Sequence, residues 1–178
     1  MDDLAHYSAL ERLRDGGLLE IRALRPEDRD GLLWAIDHAS EQSLYRRFFG
    51  ARRHFSDTEV AVFLNVDFEN EVALVAVADE AGEARIAGGG RYVVTRPGQA
   101  EVAFTVIDAF QGRGVGAVLM RHVIAIARRR GLGELIAEVL PDNAPMLKLF
   151  ERCDLPLRRR REGSVIHVSL QLPGAAPP

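Results

Sequence analysis

A single cysteine, Cys153, stands in the 178 residues. No internal disulfide can therefore form, and with no Cys/His cluster at ligand spacing a structural metal cage is excluded as well. A basic surplus is also missing. Lys and Arg number 23 against 26 Asp and Glu, a formal charge of −3, which removes the sequence-independent attraction to nucleic acid or to an anionic membrane. No apolar run approaches the roughly 18 residues of a spanning helix, and the opening Met1-Asp2-Asp3-Leu4 is acidic with no signal-like apolar stretch behind it. Internal repeats and low-complexity blocks are absent too. The expectation is a cytoplasmic protein without a metal, membrane or nucleic-acid partner, its oligomeric state left open. What is present is ordinary for a globular chain. It has 47% hydrophobic, 28% charged and 7% aromatic residues, about one domain in length, with enough apolar side chains to bury a core.

Residues 1–17 read as a charged leader with a short helix over Leu4 to Leu13, ending in Gly16-Gly17 and carrying no functional assignment. Leu18 to Arg25 alternates as a strand, and Arg25-Pro26-Glu27-Asp28 opens a helix. Helical spacing of Leu32, Leu33 and Ile36, then of Leu44, Tyr45, Phe48 and Phe49, places two helices in 27–49. Ser56 with Glu59 three residues on is a capping-box signature for a third, short helix. The period then changes. Val72–Val77, Ile86–Thr95 and Ala100–Ile107 read as strands of an antiparallel meander, joined by turn residues at 80–83 and 96–99. Gly88-Gly89-Gly90 inside the middle strand requires a bulge or a close approach to the backbone. A helix to about Arg130, stopped by Gly131, then a strand Glu134–Leu140 and a helix Asn143–Arg152 follow. Two strands near 155–161 and 164–171 close the domain at 172, and 173–178 reads as a tail.

The loop Asp108-Ala109-Phe110-Gln111-Gly112-Arg113-Gly114-Val115-Gly116 lies between the meander and its following helix. Glycines at 112, 114 and 116 expose backbone N–H groups at the positive end of a helix, which suits a diphosphate. Gly112 through Ala117 also fits the dinucleotide fingerprint G-x-G-x-x-G/A, with Glu134 and Glu138 near the distance of a ribose-binding acid. Context separates the two. A dinucleotide fold puts this loop after its first strand and needs several further βα units, whereas here an antiparallel meander precedes it and one parallel crossover follows. A bare strand-to-helix turn is the remaining alternative.

Gln111-x-x-Gly114-x-Gly116 resembles the acyl-CoA pyrophosphate loop, Q/R-x-x-G-x-G/A, of the GNAT superfamily of N-acetyltransferases, and the order of elements around it is similar over almost the whole chain. The resemblance implies an α/β fold of the α+β kind. Its central sheet would be mixed and mostly antiparallel with helices on both faces, and its fourth and fifth strands would splay apart to receive pantetheine. It also implies acetyl-CoA as cosubstrate. By the same resemblance Thr105, Val106 and Ile107 offer backbone groups to pantetheine, and Gln111, Gly112, Arg113, Gly114, Val115, Gly116 and Ala117 surround the diphosphate, Arg113 adding charge. Asn143, with Met146 beside it, would contact the pantetheine arm.

Three further stretches are similar to the acetyltransferase domain of bacterial Pat-type protein lysine acetyltransferases: Ser43-Leu44-Tyr45-Arg46-Arg47-Phe48-Phe49, Ala100 to Val106, and Leu140-Pro141-Asp142-Asn143-Ala144-Pro145-Met146. Those enzymes acetylate a lysine of acyl-CoA synthetases and so switch them off. The similarity implies a protein lysine as acceptor, best received by a wide, shallow, acidic-rimmed site. The large additional domains of Pat-type enzymes are not in this sequence, so regulation through them is not expected. A small amine acceptor and a non-catalytic CoA-sensing module are the alternatives.

Acyl transfer from a thioester to an amine needs the amine deprotonated and the carbonyl polarised. Glu101 lies in an apolar strand with Ala103, Thr105 and Ile107 on its face, where partial burial is expected to favour proton uptake. It matches the glutamate assigned as general base in the Pat-type domain, and Glu138 on the neighbouring strand is the second candidate. The tyrosine that many GNAT enzymes place after the fifth strand falls here at Phe150, with Asp154-Leu155 where Gly-Phe is common. CoA is accordingly expected to leave as a thiolate. Cys153 and His122 read as packing residues, and Arg128 to Arg130 suit a helix C-terminus. Arg158 to Arg161 read as alternating across a strand and facing solvent, with one of them able to reach the CoA 3′-phosphate, and Arg46 and Arg47 as either bordering the substrate mouth or solvating a helix.

Overall fold

A computed structural model describes residues 3–50 and 54–174. Eight strands run through it in chain order: β1 (Ser8–Arg12), β2 (Leu18–Ala23), β3 (Glu71–Glu80), β4 (Glu83–Arg96), β5 (Gln99–Val106), β6 (Glu134–Val139), β7 (Leu157–Glu162) and β8 (Val165–Gln171). They form one sheet in the order β1-β2-β3-β4-β5-β6-β8-β7. Its helices are α1 (Arg29–His38), α2 (Glu41–Phe48), α3 (Asp57–Leu64), α4 (Val115–Arg129) and α5 (Ala144–Glu151). Every strand pair is antiparallel except β5 with β6. The expected splay lies between those two strands, the fifth and sixth here because an extra strand precedes the expected first.

That extra strand replaces the helix read over Leu4 to Leu13. A 3-10 turn covers Leu4–His6, and β1 pairs with β2 from Ser8↔Arg22 to Arg12↔Leu18. Gly16-Gly17, read as the end of a leader, is the hairpin turn itself, with Gly16 at φ +86°. The hairpin is fixed to α4 by His122, whose Nε2 donates to Glu11 Oε1 at 2.8 Å while Nδ1 bonds the Tyr7 hydroxyl. The structural reading of His122 therefore has named partners. At the other end, residues 175–178 of the expected tail lie outside the described residues, as do residues 1 and 2 of the leader.

Local signals set the helix starts. Ser56 Oγ accepts from Glu59 N, and Glu59 Oε2 accepts from Ser56 N at 2.9 Å, the reciprocal cap expected for α3. Before α1, Arg22 donates to both carboxylate oxygens of Asp28 at 2.8 and 2.6 Å with both side chains largely buried, which pins the helix to β2.

The glycine run of β4 is explained by its two faces. A bulge shifts the β3–β4 register beside Ala76/Val77. A Cβ on Gly88 would sit 2.6 Å from Thr105 O, and one on Gly90 2.7 Å from the Phe104 ring. Gly90, Tyr92 and Phe104 face α4, which buries Leu119, Val123 and Ile126 against that side. On the opposite face Gly89, Arg91, Ala103 and Thr105 lie under α1, α2 and α3. One edge strand, β7, carries four consecutive arginines, and such charge discourages edge-to-edge pairing.

Candidate active site

The parallel ladder between β5 and β6 is short. It covers only Gln99↔Glu134, Ala100↔Leu135 and Glu101↔Ile136. Beyond Glu101 the strands part, so Val102 to Val106 keep β4 on one side and present an open edge on the other. That edge has no partner strand among the described residues, so an extended ligand can pair with it, although the Val106 carbonyl already accepts from the Gln111 side chain. Thr105 and Val106 lie on it, half-buried. Ile107, just past the strand, donates its N–H to Ala87 O at 2.9 Å, and its carbonyl accepts from Phe110 at 2.8 Å. Any ligand there would share that carbonyl.

The loop after β5 delivers the glycines. Gly112 has φ +74° and Gly114, the N-cap of α4, has φ +97°, with nothing within 4 Å of a Cβ on either. Gly116 differs: its Cβ would meet Val106 and Leu149 side chains at 3.6 Å, an ordinary contact. Val118 N bonds Gly114 O at 3.1 Å, and the N–H groups of the turn before it belong to the part of a helix without intrahelical acceptors. Such an array of N–H groups at a helix N-terminus suits an anion. Gln111 does not reach outward. Its Nε2 donates to Val106 O at 3.0 Å and to Ser43 Oγ at 3.2 Å, holding the loop against β5 and α2. Arg113 Nε bonds Asp15 Oδ2 at 2.7 Å, so the cation expected beside the phosphates is tethered by the N-terminal hairpin. The Gly17 N–H and the Arg113 guanidinium hold the Asp15 carboxyl below its ordinary range.

Sequence reading missed Asp108. Its carboxylate accepts from Ser40 N at 2.9 Å, Ser40 Oγ at 2.7 Å and Ser43 Oγ at 3.2 Å. Burial pushes its pKa up, but the bonds from Ser40 and Ser43 outweigh this and hold it below the usual carboxylate range. Ser40 as the N-cap of α2 is a local signal; its partner 68 residues away has none.

Asn143 is buried and caps α5, its Oδ1 accepting from Met146 N at 3.3 Å. Arg46 reaches the loop before that helix, donating to Asp142 O at 3.0 Å. Arg47 lies half-buried with its guanidinium 4.9 Å from the Phe48 ring centroid. Burial pulls its pKa down, aided by the charge of Arg91 and opposed by that of Glu101. Neither arginine is on a solvated helix face.

Glu101 stands at the point where β5 and β6 part, and it is exposed rather than partly buried. Its cross-strand neighbour Val93 is itself 42% exposed, and the departure of β6 admits water. An open cleft of about 680 Å³ joins Glu101 and Glu138 with Ile136, Arg158, Arg160 and His167. His167 lies 3.6 Å from Glu138 and 3.5 Å from Glu162. The rim is therefore mixed in charge, not acidic. Phe150 is 1% exposed and brings no hydroxyl. Asp154 adopts φ +53°, the left-handed region that favours glycine, where Gly is common in the family resembled. Cys153 donates to Leu149 O at 3.3 Å, and burial pushes its thiol up, as befits a packing residue. Among the described residues no group of three or more His, Cys, Asp or Glu is placed to hold a metal ion, and no helix is long and apolar enough to cross a membrane.

Comparisons with known proteins bear on the same elements. Residues 33–155 match the Acetyltransferase (GNAT) family. Acetyltransferase PA5475 of Pseudomonas aeruginosa is 38% identical over 127 residues, 71% of this chain and 68% of that protein. Acetyltransferase Pat of Mycolicibacterium smegmatis is 33% identical over 145 residues, 79% of this chain but 42% of that protein, so the chain spans less than half of its length. The crystal structure of the GNAT domain of S. lividans PAT superposes with a TM-score of 0.85 at 34% identity, covering 96% of this chain and 100% of that one. With a glycine cradle at the start of α4, a parted β5–β6 pair and matches over most of its length, the chain belongs to the GNAT acetyltransferase family and is an N-acetyltransferase.

Proposed function

We propose that the protein transfers an acetyl group from acetyl-CoA to the ε-amine of a protein lysine, such as one on an acyl-CoA synthetase, with Glu101 as general base. One observation carries the reading: Glu101 is an exposed carboxylate at the fork of β5 and β6, directly before the open strand edge. The open edge from Val102 to Val106 suits the amide-bearing pantetheine arm, and the N–H groups from Gly112 to Ala117 suit the diphosphate. Acetyl-CoA supplies an activated thioester with a good leaving group. Glu101 takes the proton of the incoming ammonium, directly or through water, which makes the nitrogen nucleophilic. The amine then displaces CoA as thiolate, since Phe150 offers no proton, and the second proton of the nitrogen passes to solvent through the open cleft as the amide forms.

The protein acceptor is supported by how the Pat-like stretches meet. Ser43 bonds Asp108 and Gln111, and Arg46 bonds Asp142. Arg47 feels the charge of Glu101. The stretch around α2 thus joins the strand bearing the base, the glycine loop and the start of α5. The open cleft at Glu101 also suits a side chain presented from another protein's surface better than a small molecule needing enclosure. The test is incubation with acetyl-CoA and a purified AMP-forming acyl-CoA synthetase, read by mass spectrometry for acetyl-lysine. Acetylation at one lysine is expected. Strong turnover of small amines with no protein product would overturn the lysine assignment, and CoA binding with no acetyl-CoA consumption would overturn catalysis.

A further inference from the structure

A second, more apolar cavity of about 410 Å³ lies on the face of the sheet that carries Glu101, between β3–β5 and helices α1–α3. It is separate in lining from the cleft at Glu101, with no residue in common. Three positions of its floor carry side chains too small to fill it, Ala73 on β3, Gly89 on β4 and Ala103 on β5, set among Val75, Arg91 and Thr105. Leu32 and Ile36 of α1 and Phe63 of α3 form part of its roof. Native interiors are close-packed and hold few voids larger than a water molecule, whereas this volume is in the range of ligand pockets, which begin near roughly 300 Å³.

Gly89 is informative. Gly88 and Gly90 are imposed by packing, since a Cβ would fall 2.6 and 2.7 Å from neighbouring atoms, whereas a Cβ at Gly89 would press on one backbone atom, Leu74 O at 3.3 Å, and meet no other within 4 Å. Its missing side chain leaves the cavity floor open. The polar wall groups are mostly engaged elsewhere. Arg91 pairs with Glu71 at 2.9 Å and bonds Phe63 O, while Arg47, lying over Phe48 within electrostatic reach of Glu101, marks the side toward the base. The cavity reaches β5 at Ala103 and Thr105, the stretch along which the thioester arm runs in the proposed reading.

We infer that this cavity receives the acyl chain of acyl-CoA donors longer than acetyl, in the range of about six to eight carbons, so that the enzyme transfers medium-chain acyl groups as well as acetyl. The inference rests on the proposed acetyl-CoA chemistry. The step is the same in kind: Glu101 takes one proton of the ammonium, a C–N bond forms as the thioester C–S bond breaks, the second proton of the nitrogen passes to solvent and CoA leaves as thiolate. Each further methylene moved from water into the cavity contributes up to about fourfold in affinity.

The test measures Kd by calorimetry, and kcat/KM, for acetyl-, butyryl-, hexanoyl- and octanoyl-CoA. Hexanoyl-CoA is expected to bind at least tenfold more tightly than acetyl-CoA and to be transferred with kcat/KM no lower than tenfold below it. Ala73→Leu, two strands from β5 and filling the floor, is expected to remove the chain-length gain in Kd while leaving acetyl-CoA within twofold; Ala35→Leu on α1 serves if Ala73→Leu does not fold. Acetyl-CoA binding and turnover with no gain in affinity beyond two carbons would overturn this inference alone. Equal chain-length gains in wild type and the folded variant would also overturn it. Failure to bind any of the four would instead overturn the acetyl-CoA reading.

Discussion

Gly114→Val separates what the glycine loop does from what it merely tolerates. Gly114 sits at φ +97°, where an L side chain is disfavoured, yet no atom lies within 4 Å of where its Cβ would be. The cost is therefore backbone strain with no added clash, about 1–3 kcal/mol. At roughly 2–4 °C per kcal/mol for a domain of this size, the melting temperature should fall by about 2–12 °C with the fold retained. A rotated peptide that relieved the strain would turn N–H groups away from the diphosphate. Hydrogen bonds to charged groups contribute about 1.5–3 kcal/mol each, so losing one weakens acetyl-CoA binding by about 10- to 150-fold. Gly116→Ala is the control, because its nearest neighbours stand at an ordinary 3.6 Å and its φ lies outside the left-handed region. It should bind acetyl-CoA within twofold of wild type. Calorimetry and thermal melts on both variants decide the matter. Wild-type affinity in Gly114→Val, or an equal loss in Gly116→Ala, would refute the reasoning.

Other substitutions probe the frame that holds the site. Asp28→Asn strips the charge from a largely buried bidentate pair and should cost about 3 kcal/mol in chemical denaturation at pH 7. Burial alone would raise the Asp28 pKa, but the bonds from Arg22 and the Arg25 N–H hold it below the ordinary range. Its stabilisation is thus complete above the unfolded carboxylate range near roughly pH 4 and is lost as pH falls through the native value. The gap between wild type and variant must close in acid, and a gap unchanged at pH 2 would contradict this. Tyr92 is 0% exposed, its hydroxyl has no partner among the described residues, and burial pushes its pKa up to about 12. Tyr92→Phe should therefore leave stability unchanged or raise it by about 1 kcal/mol, whereas a clear loss in urea titration would reveal a hidden partner. Gly90→Ala places a Cβ 2.7 Å from Phe104 and should cost about 1–3 kcal/mol, with Phe104→Leu in the same chain recovering part of it. Additive losses in that double-mutant cycle would deny the contact.

What the sequence made legible were features with local causes. The Ser56–Glu59 cap, the stop at Gly131 and the meander turns all depend on residues a few positions apart, and each stands where it was read. The glycine loop was legible for the same reason, because positive φ at 112 and 114 is written in the residue type. The N-terminal hairpin was not, since a five-residue strand has too few alternations to outweigh a helical reading of Leu4 to Leu13. Asp108 gave no sign of its role because its partners, Ser40 capping α2 and Ser43 within it, lie more than sixty residues away. Glu101 was singled out as a candidate by its strand and motif, but its exposure was misjudged. Burial of a strand residue depends on whether the neighbouring strand stays alongside, and β6 turns away after Ile136. The apolar cavity was equally hidden, for a pattern of small residues on three strands becomes a void only once their register is fixed.

The most direct test of the central claim is the pH profile of kcat/KM for Glu101→Gln, measured beside the Kd for acetyl-CoA. If Glu101 takes the proton of the acceptor amine, the variant should bind acetyl-CoA within twofold of wild type, turn over about 10²- to 10⁴-fold more slowly, and lose the fall in rate on the acidic side. A variant that keeps the acidic limb with near wild-type turnover would contradict the assignment. So would loss of that limb in Glu138→Gln while Glu101→Gln retains it.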